Sequence, residues 1–142
     1  IAGFYVAQKK YPQAAALYED SLAIRKKIFG SDHPSVSYSL VAMGELEYRQ
    51  GRPDAARKCF DEALLIREQK FSENHPDLAY VHSALGELDQ ATQQWEASAK
   101  HFDLARRSFR KHVDQVLPSL PEAEQLLFLR HTEEPHFHAA LS

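Results

Sequence analysis

An internal repeat is the feature that most constrains how this chain can fold. The dipeptide His33-Pro34 returns as His75-Pro76, an offset of 42 residues, and the same offset relates many other positions without a gap. The matching pairs are Ala14/Ala56, Tyr18/Phe60, Leu22/Leu64, Ile24/Ile66, Arg25/Arg67, Phe29/Phe71, Tyr38/Tyr80, Ala42/Ala84, Gly44/Gly86, Glu45/Glu87 and Leu46/Leu88. A repeat of this length indicates a supersecondary unit that buries its apolar face by stacking on its neighbours.

Weaker copies of the unit lie on both sides of the two clear ones. The register of Pro53, Ala56, Phe60 and Ala63 is continued by Trp95, Ser98, Phe102 and Ala105, and Pro118 takes the place of Pro34 and Pro76. At the front, Ile1–Phe4 aligns with Met43–Leu46. We therefore expect the chain to open within a helix and to be a fragment of a longer parent.

Each unit reads as two helices with a defined start. Proline suits the first turn of a helix, so Pro34 and Pro76 predict helix starts, with Asp32 or His33, and Asn74 or His75, as N-caps. The predicted first (A) helices span residues 34–50 and 76–92, and the predicted second (B) helices span 12–29, 53–71 and 94–113 or slightly beyond.

Three glycines carry structural predictions. A glycine inside a helix costs about 1 kcal/mol relative to alanine, so Gly44 and Gly86 predict a close approach of the paired B helix. Gly51 is predicted to end the first A helix. We predict a repeat region at residues 1–117 that comprises a partial helix (1–9) and units at about 11–50, 53–92 and 94–117. A connector helix (118–131) should cover the last repeat, and the tail (132–142) should be flexible.

The residues that the repeat retains resemble those of a known family. Gly44, Gly51, Ala56, Phe60, Ala63-Leu64 and His75-Pro76 resemble the tetratricopeptide repeat (TPR), in the 42-residue variant of kinesin light chains and bacterial scaffold proteins. The resemblance implies an all-α fold, a right-handed superhelical solenoid of stacked antiparallel helix pairs with a C-terminal capping helix. Glu47 and Asp89 depart from the pattern, since they stand where an aromatic residue is common and where Tyr5 keeps one.

A second resemblance concerns the C-terminal segment. Residues 114–126 resemble the connector that precedes a CHAT (caspase-like) peptidase domain in bacterial proteins. That resemblance implies a catalytic domain downstream, and none of its catalytic machinery lies in this chain.

Composition excludes several classes of function. The net charge of −3 argues against a nucleic-acid-binding protein, and no apolar run approaches the roughly 18 residues that span a bilayer. The single cysteine, Cys59, cannot form an internal disulfide, which predicts a cytoplasmic location.

No motif for catalysis or cofactor binding is present, so we predict no enzymatic activity, no cofactor and no metal. His131, His136 and His138 have plausible ligand spacing, but they are interpreted as part of a loose tail. Cys59 is interpreted as a small apolar residue, and Glu45 and Glu87 as equivalent solvated positions rather than a general-acid pair. The aromatic side chains of Phe60, Trp95, Phe102 and Phe109 are predicted to be core.

The TPR resemblance also implies a binding groove along the A helices. Its residues would be Tyr38, Val41, Glu45, Tyr48, Arg49, Tyr80, Ser83, Glu87 and Gln90. Tyrosines with two carboxylates suit a peptide or partner domain that carries a basic residue near an apolar anchor. The leading hypothesis is a protein-interaction scaffold. The alternatives are a regulatory or substrate-recruiting arm of a larger CHAT-type peptidase and an architectural spacer.

Overall fold

The computed structural model describes residues 10–132, and these residues form α-helices joined by short turns, with no β-strand among them. The helices are α1 (Tyr11–Phe29), α2 (Pro34–Arg49), α3 (Pro53–Lys70), α4 (Pro76–Ala91), α5 (Trp95–Val116) and α6 (Glu122–Thr132), with a 3₁₀ turn at Leu117–Ser119. The partial helix predicted for residues 1–9 and the tail predicted beyond Thr132 lie outside the described residues.

The chain divides into two compact units, residues 1–70 and residues 71–142. In the first unit α2 packs against both α1 and α3, and in the second unit α4 packs against α5. Only a few residues connect α2 to α3 and α4 to α5, so each of these pairs is an antiparallel helical hairpin.

The A helices begin at the two prolines, as predicted, and histidine is the N-cap in both cases. The Nδ1 atoms of His33 and His75 each accept a hydrogen bond, 3.1 Å long, from the backbone amide two residues further on. Each imidazole also stacks on the aromatic ring that ends the preceding segment, with ring centroids 4.7 Å apart for Phe29 and 4.0 Å apart for Phe71. The His-Pro dipeptide therefore recurs because it fixes a helix start.

The two helix glycines mark the closest approach within each hairpin. A Cβ atom added to Gly44 would lie 2.6 Å from the ring of Phe60, and one added to Gly86 would lie 2.9 Å from the ring of Phe102. Real Cβ atoms do not come this close to neighbouring atoms, so any larger residue would push the B helix away. This result confirms the predicted reason for both glycines.

The turn between the helices of each hairpin needs one residue in the left-handed region. Gly51 has φ of 74°, and Gln93, its counterpart in the second unit, has φ of 60°. In both turns the amide of the next residue donates to a carbonyl five residues earlier, at 2.9 and 2.7 Å respectively. The second turn thus keeps the geometry of the first although a glutamine replaces the glycine.

Most of the predicted apolar stripe is buried, but two expectations fail. The core comprises Ala14, Val36, Leu40, Leu46, Ala56, Phe60, Ala63, Ile66, Leu78, Val81, Leu85, Leu88, Ala105 and Phe109. The prediction that Trp95 is core is wrong, because its side chain is 63% exposed at the first residue of α5. At a helix terminus no preceding turn covers the side chain.

The helix α6 forms as predicted, but it does not show the covering contact that was expected of it. Leu126 and Leu127 are 67% and 53% exposed, and no side chain described in α6 is buried. Its apolar residues are distributed around the helix rather than along one stripe, so it presents no single face to pack. None of the helices in residues 10–132 has the length and apolar character required to cross a membrane.

Candidate functional site

The predicted binding residues of the first unit follow one side of α2. Tyr38 and Tyr48 are 48% and 41% exposed, and Arg49 is exposed as well. Glu45 is half-buried, whereas Val41 is only 7% exposed and offers a ligand little surface. Two tyrosine rings and the charged groups between them are therefore the accessible part of this set.

A buried arginine from α3 positions one of these tyrosines. The guanidinium carbon of Arg67 lies 5.0 Å from the centroid of the Tyr38 ring, a cation–π distance. Arg67 is only 2% exposed, and its Nε donates to Ser37 Oγ at 3.0 Å. The Ser37 hydroxyl in turn donates to the carbonyl of Pro34 at 2.7 Å. The cation is thus fixed by a hydrogen-bond chain, and it restrains the ring above it.

Sequence reasoning missed this role of Arg67. The available signal was the repeated arginine pair, Arg25 and Arg67, which occurs in the middle of helices that are otherwise packed by apolar residues. Arg25 also bonds to backbone, since its Nη1 donates to the carbonyl of Ser35 at 2.8 Å. A charged residue that recurs in a core register indicates a specific partner.

The predicted binding residues of the second unit lie on α4. Tyr80 is 49% exposed, Glu87 and Gln90 are exposed, and Ser83 is half-buried. The arginine device is absent here, because the position that corresponds to Arg67 is Phe109, which is 5% exposed. The second unit therefore repeats the exposed tyrosine on a purely apolar support.

A buried polar cluster lies between α4 and α5. The Nδ1 atoms of His82 and His101 are 3.1 Å apart, so one imidazole donates a hydrogen bond and the other accepts it. The Oδ2 atom of the fully buried Asp89 lies 3.8 Å from Nε2 of His101. Burial, followed by the charge of His101, lowers the pKa of His82 to about 4. The cluster is therefore built around a neutral His82.

The first unit has different chemistry at the corresponding positions, which are Leu40, Glu47 and Cys59. Glu47 forms an ion pair with Arg52 at 3.3 Å. Burial, followed by the charge of Glu47, raises the pKa of the Cys59 thiol. A raised pKa reduces the thiolate fraction, and the thiolate is the reactive form. Cys59 thus has the environment of a packing residue, as predicted.

The structure provides no additional metal site in the part of the chain that it describes. Within residues 10–132, no group of three or more His, Cys, Asp or Glu residues could hold a metal ion. The histidine cluster of the sequence analysis, His131, His136 and His138, lies outside the described side chains.

Comparison with known proteins agrees with the hairpin architecture. A family model described as tetratricopeptide repeat matches residues 1–60 and residues 37–111. None of the curated proteins matched the chain.

Solved structures give the same fold. The chain is similar to crystal structures of nearly identical TPR-like repeats from a proposed kinesin light chain of Podosopora anserina, with 17% sequence identity and a TM-score of 0.67. The match covers 98% of this chain and 78% of the parent repeats, or 77% of a variant form of them. With a family model that covers most of its length and an all-α fold, the chain belongs to the tetratricopeptide repeat family.

Proposed function

We propose that this chain is a protein-interaction module that binds a peptide or a partner domain through the exposed side chains of α2 and α4. The supporting observation is that Tyr38, Tyr48 and Tyr80 are each between 41% and 49% exposed, although the core does not need them. Proteins of the tetratricopeptide repeat family generally bind protein partners. The proposed contact residues are Tyr38, Val41, Glu45, Tyr48, Arg49, Tyr80, Ser83, Glu87 and Gln90.

Tyrosine is well suited to such a contact. Its ring supplies a large apolar area, its hydroxyl supplies a hydrogen bond, and few side-chain torsions have to be fixed on binding. Arg67 restrains the ring of Tyr38 before any ligand arrives. A side chain that is already ordered loses less entropy on binding, so this contact should contribute more affinity than a mobile tyrosine would.

The charges on the same helices suggest what a ligand would carry. Glu45 lies two turns after Tyr38, and Glu87 lies two turns after Tyr80, because the offset is the same in both units. A basic residue placed near an apolar anchor would meet a carboxylate and a tyrosine at either helix. Complementary charge of this kind favours the correct partner and speeds association.

A peptide-display selection followed by titration tests the proposal. We expect selected peptides to combine an aromatic or aliphatic residue with Lys or Arg. Replacing both tyrosines, Tyr38→Ala with Tyr80→Ala, should weaken their binding at least about tenfold, since aromatic anchors dominate interface energies. The matched control is Trp95→Ala, which removes a more exposed aromatic ring outside α2 and α4.

Circular dichroism and thermal melting should be nearly unchanged in the double variant, because both rings lie at the surface. Selected peptides that bind the double variant and the parent chain equally well would contradict the proposal. So would a loss of binding in Trp95→Ala as large as the loss in the double variant.

The alternative functions make different demands on the same surface. A recruiting arm for a CHAT-type peptidase would bind its substrate through these helices and would be supported by a caspase-like His and Cys encoded after Ser142. An architectural spacer would select no peptide at all, so the display experiment separates it from both binding hypotheses.

A further inference from the structure

One side of α5 concentrates positive charge that the hairpin does not require. Arg106, Arg107 and Arg110 follow Asp103 at spacings of three, four and seven residues, which places all of them on one face of the helix. Together these four side chains line a surface recess of about 310 Å³. We refer to the three arginines as the basic face.

Asp103 neutralises only part of this charge. Its carboxylate accepts from Arg106 at 2.6 Å and pairs with Arg107 at 2.7 Å, and the hydrogen bond from Arg106 lowers the pKa of the carboxyl below its usual range. Within residues 10–132, no carboxylate forms an ion pair with Arg110, not even that of Asp114 one turn further on. Three guanidinium groups thus share one carboxylate, and the recess keeps a positive excess.

The neighbouring lysine on α5 shows what a fully paired group looks like here. Lys111 forms an ion pair with Glu73 within the same unit. The side chains of Arg106 and Arg107, in contrast, are 43% and 71% exposed even in their pairs with Asp103. The guanidinium donors that Asp103 does not use therefore remain open to solvent.

The internal repeat shows that this charge is not needed for folding. The positions of α3 that correspond to the basic face are Leu64, Leu65 and Glu68. The hairpin that contains them has the same glycine contact and the same type of turn. Because α3 folds with two leucines and a glutamate there, packing does not explain three arginines on α5 of a chain with a net charge of −3.

We propose that the basic face is a docking site for an acidic segment of a protein partner, whose carboxylates pair with Arg110 and displace Asp103 from Arg106. Guanidinium groups present planar pairs of N–H donors that match the two oxygens of a carboxylate. Arg106 and Arg110 lie one helical turn apart, so carboxylates one turn apart on a partner helix would meet both. The site goes beyond the tyrosine surface, since it lies on a different helix and attracts the opposite charge.

The test uses the full chain and a labelled synthetic helical peptide with two glutamates one turn apart, measured by fluorescence anisotropy. Arg106→Gln with Arg110→Gln should lower the affinity about tenfold or more. The control, Lys27→Gln with Lys58→Gln, removes the same charge from exposed lysines of the first unit and should change the affinity less than about twofold. A peptide with glutamine in place of glutamate should not bind.

Asp103→Asn gives a prediction of opposite sign. This change removes the competing carboxylate and should strengthen binding of the acidic peptide several-fold, whereas an ion pair needed only for helix stability would leave binding unchanged. The Tyr38→Ala/Tyr80→Ala variant should bind this peptide normally, so a failure here leaves the proposed function standing. Equal losses in the lysine control, displacement by low concentrations of inorganic phosphate, or tighter binding of duplex DNA would each overturn the proposal.

Discussion

The hairpin of α2 and α3 in the first unit and the hairpin of α4 and α5 in the second use the same backbone devices. Both begin at a histidine N-cap, both have a glycine against a phenylalanine ring, and both turn through one left-handed residue. Their interiors differ. The first hairpin buries Arg67 against Ser37, and the second buries His82 against His101.

The comparison shows that polar groups change in pairs between the two interiors. Where the first unit has Arg67 and Ser37, the second has the apolar residues Phe109 and Ala79. Where the second unit has His82 and His101, the first has Leu40 and Cys59. A buried polar group without a partner is costly, so a replacement of both members together leaves the hairpin intact.

The largest expected effect concerns the glycine contacts. Gly44→Leu should lower the free energy of unfolding by about 3 kcal/mol, and Gly86→Leu by about 1–2 kcal/mol. The difference follows from the distances, 2.6 Å to Phe60 and 2.9 Å to Phe102, and from the burial of Phe60, whose ring has less room to move. Urea denaturation of both variants measures the two losses.

An equal loss at the two glycines would show that the ring distances do not set the cost. A normal stability in either variant would remove close packing as the reason for that glycine. Replacement of the exposed Gln90 by leucine serves as the control, because it adds the same side chain to α4 away from the ring of Phe102.

The shared devices of the two units could be predicted from the sequence, because each leaves a local mark that the repeat doubles. Pro34 and Pro76 mark helix starts, and Gly44 and Gly86 mark close contacts, so both were found at the correct positions. The tetratricopeptide family and its all-α fold followed from the same marks.

The interior differences could not be predicted in the same way. His82 and His101 are 19 residues apart and have no histidine counterparts in the first unit, so only the packing of α4 on α5 reveals their contact. Arg67 was visible as a repeated residue, but its position over Tyr38 depends on how α3 packs against α2. Trp95 was assigned to the core from its register, which does not show that a helix terminus leaves it uncovered.

The histidine pair should make the second unit sensitive to acid. The pKa of His82 is about 4 in the folded chain, compared with an ordinary value of 6.5. Between these values the unfolded chain binds more protons than the folded chain, so the free energy of unfolding should fall as the pH falls from about 6.5 to about 4. Because solvent screens part of the effect, we expect a loss of about 1–2 kcal/mol.

Replacing His82 with the residue of the first unit, His82→Leu, should remove most of this pH dependence. A smaller slope should remain from His112, whose pKa is lowered by burial and by His75. Urea denaturation at pH 7, 6, 5 and 4 compares the variant with the parent chain. Parallel curves for the two proteins would show that His101 and Asp89, which face His82, compensate its titration.

The smallest expected effect concerns the turns. Gln93→Gly should raise the free energy of unfolding by about 0.5–1 kcal/mol, because a side chain at φ of 60° is strained and glycine is not. The reverse change in the other unit, Gly51→Gln, should lower it by a similar amount. No atom lies within 4 Å of a Cβ added to Gly51, so backbone conformation alone should set that cost. Changes of opposite sign and similar size in thermal melts would show that the two turns are equivalent, whereas a loss of stability in Gln93→Gly would mean that the glutamine side chain contributes contacts worth more than the strain.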